Sequence, residues 1–283
     1  MDITQILGYF GALLIGVVLG LIGGGGSILT VPILVYLLVI NPVTATAYSL
    51  FVVGVSSAFG AIQNIKKGLV DFKIAIVFAI PAFIAVYITR KYIVPSIPSE
   101  IFSFRNFILT KDVAIMVFFA IIMLLASISM IRGRKETTQT TEVVKFNYPL
   151  ILIEGFIVGI LTGLVGAGGG FLIIPALVLL AKLPMKKAVA TSLLIIAVKS
   201  LIGFIGDIEN LEIDWTFLLS FTSVSVVGIF IGSYLSNFVD GKKLKNYLGK
   251  LTQLHPSVFS IKRLDKFPLN KNYKISYDNK NLN

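Results

Sequence analysis

Cysteine is absent from this chain of 283 residues, and histidine and tryptophan occur once each. Without cysteine there is no disulfide, no thiolate nucleophile and no thiolate-bound metal. With His255 alone in a polar tail, no histidine cluster is available for zinc or iron. Charge is scarce too. Only 14% of the residues are charged, against roughly 25% in a soluble domain. Hydrophobic residues make up 56% and the mean hydropathy is +0.90, the composition of an integral membrane protein. No basic segment precedes the first apolar run at Ile3, so no cleaved leader is expected. There is no phosphate-binding Walker motif, no nucleophile–base–orienter set and no metal-ligand cluster. An enzyme therefore has no support in the sequence, and no cofactor is implied. The net charge of +11 resides mostly in short segments between apolar runs, which marks topology rather than nucleic-acid binding.

Glycine is what the chain has in concentration. The run Gly20-Leu-Ile-Gly-Gly-Gly-Gly-Ser-Ile-Leu-Thr-Val-Pro32 returns 143 residues later as Gly163-Leu-Val-Gly-Ala-Gly-Gly-Gly-Phe-Leu-Ile-Ile-Pro175. Each glycine weakens a helix by about 1 kcal/mol relative to alanine, so such density signals non-helical or closely approached backbone. Small residues that merely let membrane helices pack account for scattered Gly-x-x-x-Gly spacing better than for four adjacent glycines.

Apolar runs fall at about 3–22, 28–40, 44–62, 72–88 and 113–131, then at 149–165, 171–183, 188–205 and 215–238. A full membrane crossing needs about 20 residues, so the runs at 28–40 and 171–183 are too short for an upright span. Each comes directly after a glycine run, and both read as short or broken helices of the kind that line transporter cavities. Over 20–72 against 163–215, 20 of 53 paired positions are identical without a gap, including Pro32/Pro175, Ser49/Ser192, Ser57/Ser200 and Asp71/Asp214. The expected fold is all-α, in two repeated halves, each with a glycine-rich break before a short helix. The expected segments are a first repeat over 1–131, a polar cytoplasmic linker over 132–148, an incomplete second repeat over 149–240 and a basic tail over 241–283.

Placing the N-terminus outside puts Lys66 and Lys67, Arg132 to Lys145, Lys182 to Lys187 and Lys242 to Lys250 inside, as the positive-inside rule requires. If every run crosses, five runs in the first half make the halves inverted, a common transporter plan; short runs that re-enter instead make them parallel. One segment, a loop from Arg90 to Lys111 with four basic residues, falls on the wrong side. The 143-residue shift gives the run at 113–131 a partner near 256–274, but that polar stretch cannot span a bilayer, so it reads as a lost last helix, with a genuine basic cytoplasmic tail as the alternative. The tail holds 10 of the 25 basic residues and is expected near anionic headgroups. The groove left open is a place for lipid or for another protomer of a homo-oligomer.

At the paired motifs the chain resembles the TauE/SafE sulfite exporter family, and the segment from Ala190 to Asp207 looks like the stretch just after the second motif in that family. The resemblance covers about residues 8–245. It implies a secondary transporter of bacterial inner membranes that moves sulfur-containing anions such as sulfite, thiosulfate or sulfonates. An anion channel and a non-transporting membrane scaffold are the rival readings.

Helix N-termini present unpaired N–H groups and about half a positive charge, which suits an anion. Gly25, Gly26 and Ser27 before one short helix, and Gly168, Gly169 and Gly170 before the other, are therefore expected to hold the substrate. Lys199 lies mid-run, where a lysine needs a partner or a wet cavity. It reads as an anion ligand, with a structural pair to Glu154 as the alternative. Ser49 and Ser192 join the candidates through their repeat pairing. Glu154 is a candidate proton carrier, although its shallow depth favours an interfacial residue. Gln63, Asn64 and Asp207 are expected to cap helix ends.

Overall fold

The computed structural model describes residues 3–24, 26–104, 107–132, 148–179, 181–236 and 238. Gly25, residues 133–147 of the linker and the whole basic tail lie outside the described residues.

The chain folds into helices in the order α1 (Ile3–Ile22), α2 (Gly26–Pro32), α3 (Pro42–Lys66), α4 (Phe72–Ile88), α5 (Val94–Ser96), α6 (Lys111–Arg132), α7 (Tyr148–Val165), α8 (Gly170–Leu179), α9 (Met185–Ile208) and α10 (Trp215–Ser236). A π-helical turn, Ile33–Leu37, continues α2, and another, Thr89–Ile93, joins α4 to α5. Among the described residues, five helices are long and apolar enough to cross a membrane, while Gly26–Leu37 and Pro149–Val165 are shorter. One small antiparallel hairpin, β1 (Glu100–Phe104) with β2 (Phe107–Thr110), lies in the segment read as a loop.

Polarity is arranged for lipid. Ile76, Ile80, Ile84 and Ile88 recur every fourth residue on one face of α4 and are exposed. Ser27, Thr46, Ser49, Ser56, Ser57, Thr191, Ser192 and Ser200 are buried. A soluble fold would reverse this, because exposed aliphatic surface costs free energy in water but not in hydrocarbon.

Helix starts arise from local chemistry. Asn41 accepts from Val43 N at 2.9 Å, and Pro42 occupies the first turn of α3, where its missing N–H costs nothing. Asp71 caps α4 through Ile74 N at 3.0 Å, and Asp214 caps α10 through Phe217 N at 3.0 Å. These two aspartates are 143 residues apart, and the correspondence extends further. The N–H of Asp71 donates to Thr191 Oγ1 at 3.0 Å, and the N–H of Asp214 to Tyr48 OH at 2.7 Å. Tyr48 and Thr191 are themselves 143 apart, so each half caps its helix and ties the cap to the other half.

Two glycine seams and the crossing of α3 with α9 carry the main packing between halves. Along α1, a side chain at Gly16 would meet the backbone of Ser225 and Gly228, and one at Gly20 would meet that of Ile229 and Gly232. Along α7, Gly159 lies against Ala82 and Ala85, and Gly163 against Val86 and Thr89. The second set is the first shifted by 143 residues. In both seams the residue numbers rise together, so α1 runs parallel to α10 and α7 parallel to α4. The pairs Leu50/Gly203, Gly54/Leu201 and Gly60/Leu193 run in opposite order, so α3 and α9 cross antiparallel. Small residues let these backbones approach closely enough for dispersion to replace the absent hydrophobic effect.

The segment from Arg90 to Lys111 requires a correction. Arg90 and Lys91 are helical, in the π-turn that extends α4. Arg90 pairs with Asp207, and Lys91 pairs with Glu209 at 3.2 Å. The acidic end of α9 and this basic turn therefore share one side of the molecule, and two of the four cations that violate the charge rule are neutralised there.

Candidate anion site at the second glycine run

The two glycine runs meet. Gly24 of the first lies directly against Gly170 of the second, so that a β-carbon on either would collide with the other's backbone. A β-carbon at Gly168 would come within 3.3 Å of Ser27 Cβ. In the first run Gly26 opens α2 against Ile15 and Leu19, while the Ser27 hydroxyl donates to Gly24 O at 2.7 Å. That serine closes its own turn, and the seven-residue α2 offers no free charge.

The second run differs. Gly166 ends α7 with its N–H on Thr162 O at 2.9 Å, and the chain then turns through Gly169, whose φ is +71°. Gly169 O accepts from the N–H of Leu172 and Ile173, both at 2.9 Å, which starts α8. Lys199, fully buried on α9, brings its Nζ to the place where α8 begins. It would sit 3.3 Å from a β-carbon on Gly169. Its ammonium donates to Thr162 Oγ1 at 2.8 Å, and Thr162 donates in turn to Val158 O at 2.7 Å. The positive end of α8 and a buried ammonium thus face the same turn.

No carboxylate answers that charge among the described residues. Lys199 forms no ion pair with Glu154. Glu154 and Thr162 share α7 but stand eight residues apart, about 12 Å along the axis. Glu154 is half-buried, and its Oε2 has no hydrogen-bond partner. At the repeat position of Lys199 stands Ser56, whose hydroxyl donates to Ser225 Oγ at 3.0 Å. The charge belongs to one half only.

The serines fall on both sides of this contact. Ser192 Oγ lies within reach of Val189 O at 2.8 Å and Gly23 O at 3.2 Å, so it ties α9 to the first run. Ser49 Oγ is buried without a partner, as are Ser57 Oγ and Ser200 Oγ. Asn64 donates to Gly60 O at 2.8 Å within its own helix. A cleft of about 250 Å³ lies elsewhere, between the start of α1 and the start of α10, lined by Gln5, Tyr9, Asp214 and Phe217 among others.

Asp207 does not cap its helix with its side chain. Its Oδ2 accepts from Arg90 Nε at 2.7 Å, and Arg90 Nη1 reaches Thr46 Oγ1 at 3.1 Å and Gly163 O at 3.3 Å. Sequence reading missed this pair because Arg90 lies just past an apolar run and resembles a loop cation. The available signal was Asp207, an acid still in helical register with the run before it.

A lipid-facing exterior and helices broken at paired glycine runs define a multi-pass integral membrane protein, with a buried cation beside one helix start. A profile of the sulfite exporter TauE/SafE family matches residues 9–252, and the chain belongs to that family. It is similar to a probable membrane transporter protein of Xylella fastidiosa strain 9a5c, at 28% identity over 257 residues, 88% of this chain and 92% of the relative. It is also similar to the probable membrane transporter protein YunE of Bacillus subtilis strain 168, at 29% identity, 81% of this chain and 86% of the relative. A probable membrane transporter protein of Methanocaldococcus jannaschii is 37% identical over 107 residues, 36% of this chain and 40% of the relative. No solved structure matches.

Proposed function

We propose that this protein is a secondary transporter of small anions in the cell's inner membrane, with sulfite, thiosulfate, sulfonates or small organic acids as substrates. The observation that carries the reading is Lys199. A buried lysine in a spanning helix costs about 2.5–3.5 kcal/mol on insertion scales, so an ammonium answered only by a hydroxyl is retained for a ligand. The N-terminus of α8 adds positive potential at the same turn, and an oxyanion supplies the negative charge that both lack. The family's name points to sulfite as the first anion to test. Gly24 against Gly170 is a closed contact, so loading requires the two runs to part. Coupling to protons or to the membrane potential supplies the energy.

The test is uptake by the purified full-length protein in proteoliposomes, with a panel of radiolabelled sulfur oxoanions and carboxylates. Saturable uptake accelerated by internal substrate is the expected result; saturable flux without that acceleration marks a channel. Lys199→Met is expected to raise the half-saturation concentration about tenfold or more, the worth of one charge-assisted hydrogen bond, at near-normal folded yield. Loss of protein with unchanged affinity would assign Lys199 a structural role.

A further inference from the structure

The Arg90–Asp207 pair is not required by the repeat. The positions related to them by the 143-residue shift are Ser233 and Asn64, both uncharged, yet the equivalent helices pack in the same way. Arg90 is fully buried and Asp207 is 2% exposed. A pair so deep carries a desolvation penalty that an apolar pair of similar volume would avoid, so stability alone does not account for it.

The guanidinium is also incompletely used. Nε and Nη2 both converge on one carboxylate oxygen, Oδ2, at 2.7 and 2.6 Å. Only Nε is aligned as a hydrogen-bond donor to it, and Nη2 touches the same oxygen as an ion pair without making a hydrogen bond of its own. Nη1 is held by Thr46 and by the carbonyl of Gly163. That carbonyl belongs to the residue after Thr162, the acceptor of Lys199. On the other side of the pair, Asp207 stands eight residues after Lys199 on α9, about 12 Å along the axis. Arg90 therefore links the C-terminal ends of α4 and α9 to the last turns of α7, which carry the acceptor of Lys199, and two of its nitrogens share a single carboxylate oxygen.

We propose that Arg90 and Asp207 form an exchangeable ion pair on the substrate path, in which the transported oxyanion takes over the guanidinium while Asp207 leaves it and accepts a proton. This rests on the anion-transport reading above. In the exchange no covalent bond to a heavy atom changes, apart from the O–H bond formed on the carboxylate. A proton from solution adds to the Asp207 carboxylate, and the anion replaces that carboxylate on Arg90, so the net charge at the pair is conserved for a monoanion and becomes one unit more negative for a dianion such as thiosulfate. An oxyanion with several acceptor oxygens can engage Nε and Nη2 together, which Oδ2 alone does with one aligned bond. The charged groups around Asp207 are Arg90 from the π-turn and Lys111 at the start of α6. Lys91 and Glu209 form their own pair nearby. Thr46 on α3 and the Gly163 carbonyl on α7 face Arg90 as neutral groups.

The experiment is thiosulfate transport by the full chain in proteoliposomes across a pH series, because that anion stays fully ionised over the range assayed. In the unaltered protein the half-saturation concentration is expected to rise with pH, since the ionised Asp207 competes for Arg90. Asp207→Asn removes the competitor, so its half-saturation concentration should fall about tenfold at the alkaline end and keep only the pH dependence that Lys199 imposes. A gain of affinity is an outcome that a purely structural pair would not produce. Wild-type pH dependence in D207N, or weakened affinity in folded D207N, overturns the proposal. Should D207N not fold, R90Q/D207N, which leaves no lone buried ion, decides. It is expected to bind thiosulfate about tenfold more weakly, and wild-type affinity overturns the proposal. Unaltered protein that moves none of the panel anions sinks the transport reading and this inference with it. Anion flux indifferent to the pair sinks this inference alone.

Discussion

Gly24 and Gly170 touch backbone to backbone, although 146 positions separate them in the chain. Neither tolerates a β-carbon without movement of the other. Gly170→Val is therefore expected to abolish transport and to lower thermal stability, because backbone rather than a flexible side chain would have to shift. The overpacking cost is about 1–3 kcal/mol. A transport assay with a melting curve on detergent-purified protein checks it, and wild-type values for both would refute the contact.

Thr162 receives the proton-rich end of Lys199, so its hydroxyl is the group to remove next. Thr162→Val preserves shape and deletes the acceptor, leaving a buried ammonium without its one hydrogen bond. Stability is expected to drop by about 1–3 kcal/mol, with partial recovery when the assay buffer contains a substrate anion. Melting temperatures with and without thiosulfate provide the measurement; an anion-independent loss contradicts the site.

The two helix seams predict matched behaviour. Gly16→Leu should separate α1 from α10, and Gly159→Leu should separate α7 from α4, each by forcing a branched side chain into an opposing backbone. Similar losses of folded yield are expected for the two variants. Ala12→Gly, beside the first seam, should change little beyond the helix cost of about 1 kcal/mol. A large effect at one seam and none at the other would mean that the equivalence is only in sequence.

Membrane orientation can be read directly, since a chain without cysteine needs no background removed. Cysteine at Glu209, next to the paired cations, is expected to react with an impermeant maleimide in intact cells. Cysteine at Lys66, or at Ser276 in the tail, is expected to react only after the membrane is opened. The reverse pattern would invert the topology.

Much of the helical order was legible because lipid leaves a plain record. A spanning helix must be apolar over its length, and a break in it must be tolerated by glycine. Lys199 stood out for the same reason, as a charge where charge is expensive. Arg90 did not, because a cation after the last apolar residue is an ordinary interfacial sight. Only the π-turn, which the sequence does not announce, carries it back into the interior against Asp207. The seams were hidden differently. Gly16 and Gly159 read as generic small residues, and Gly20 and Gly163 as the first glycines of the two runs, since close approach depends on which helix lies opposite. The hairpin at Glu100–Thr110 carried no alternation clear enough to separate it from a loop.

The parallel seams have a consequence for synthesis. The partner of α1 is α10, whose first residue comes 212 positions after the first of α1. At ordinary elongation speeds α1 enters the bilayer roughly 10–40 s before α10 exists. Through that interval its glycine face meets lipid, or whatever insertion factor shields it, while α4 waits a shorter time for α7. The fold cannot close helix by helix as it leaves the ribosome. It closes when the last described helix arrives, and a chain cut before Trp215 would leave α1 without the surface it is shaped to meet.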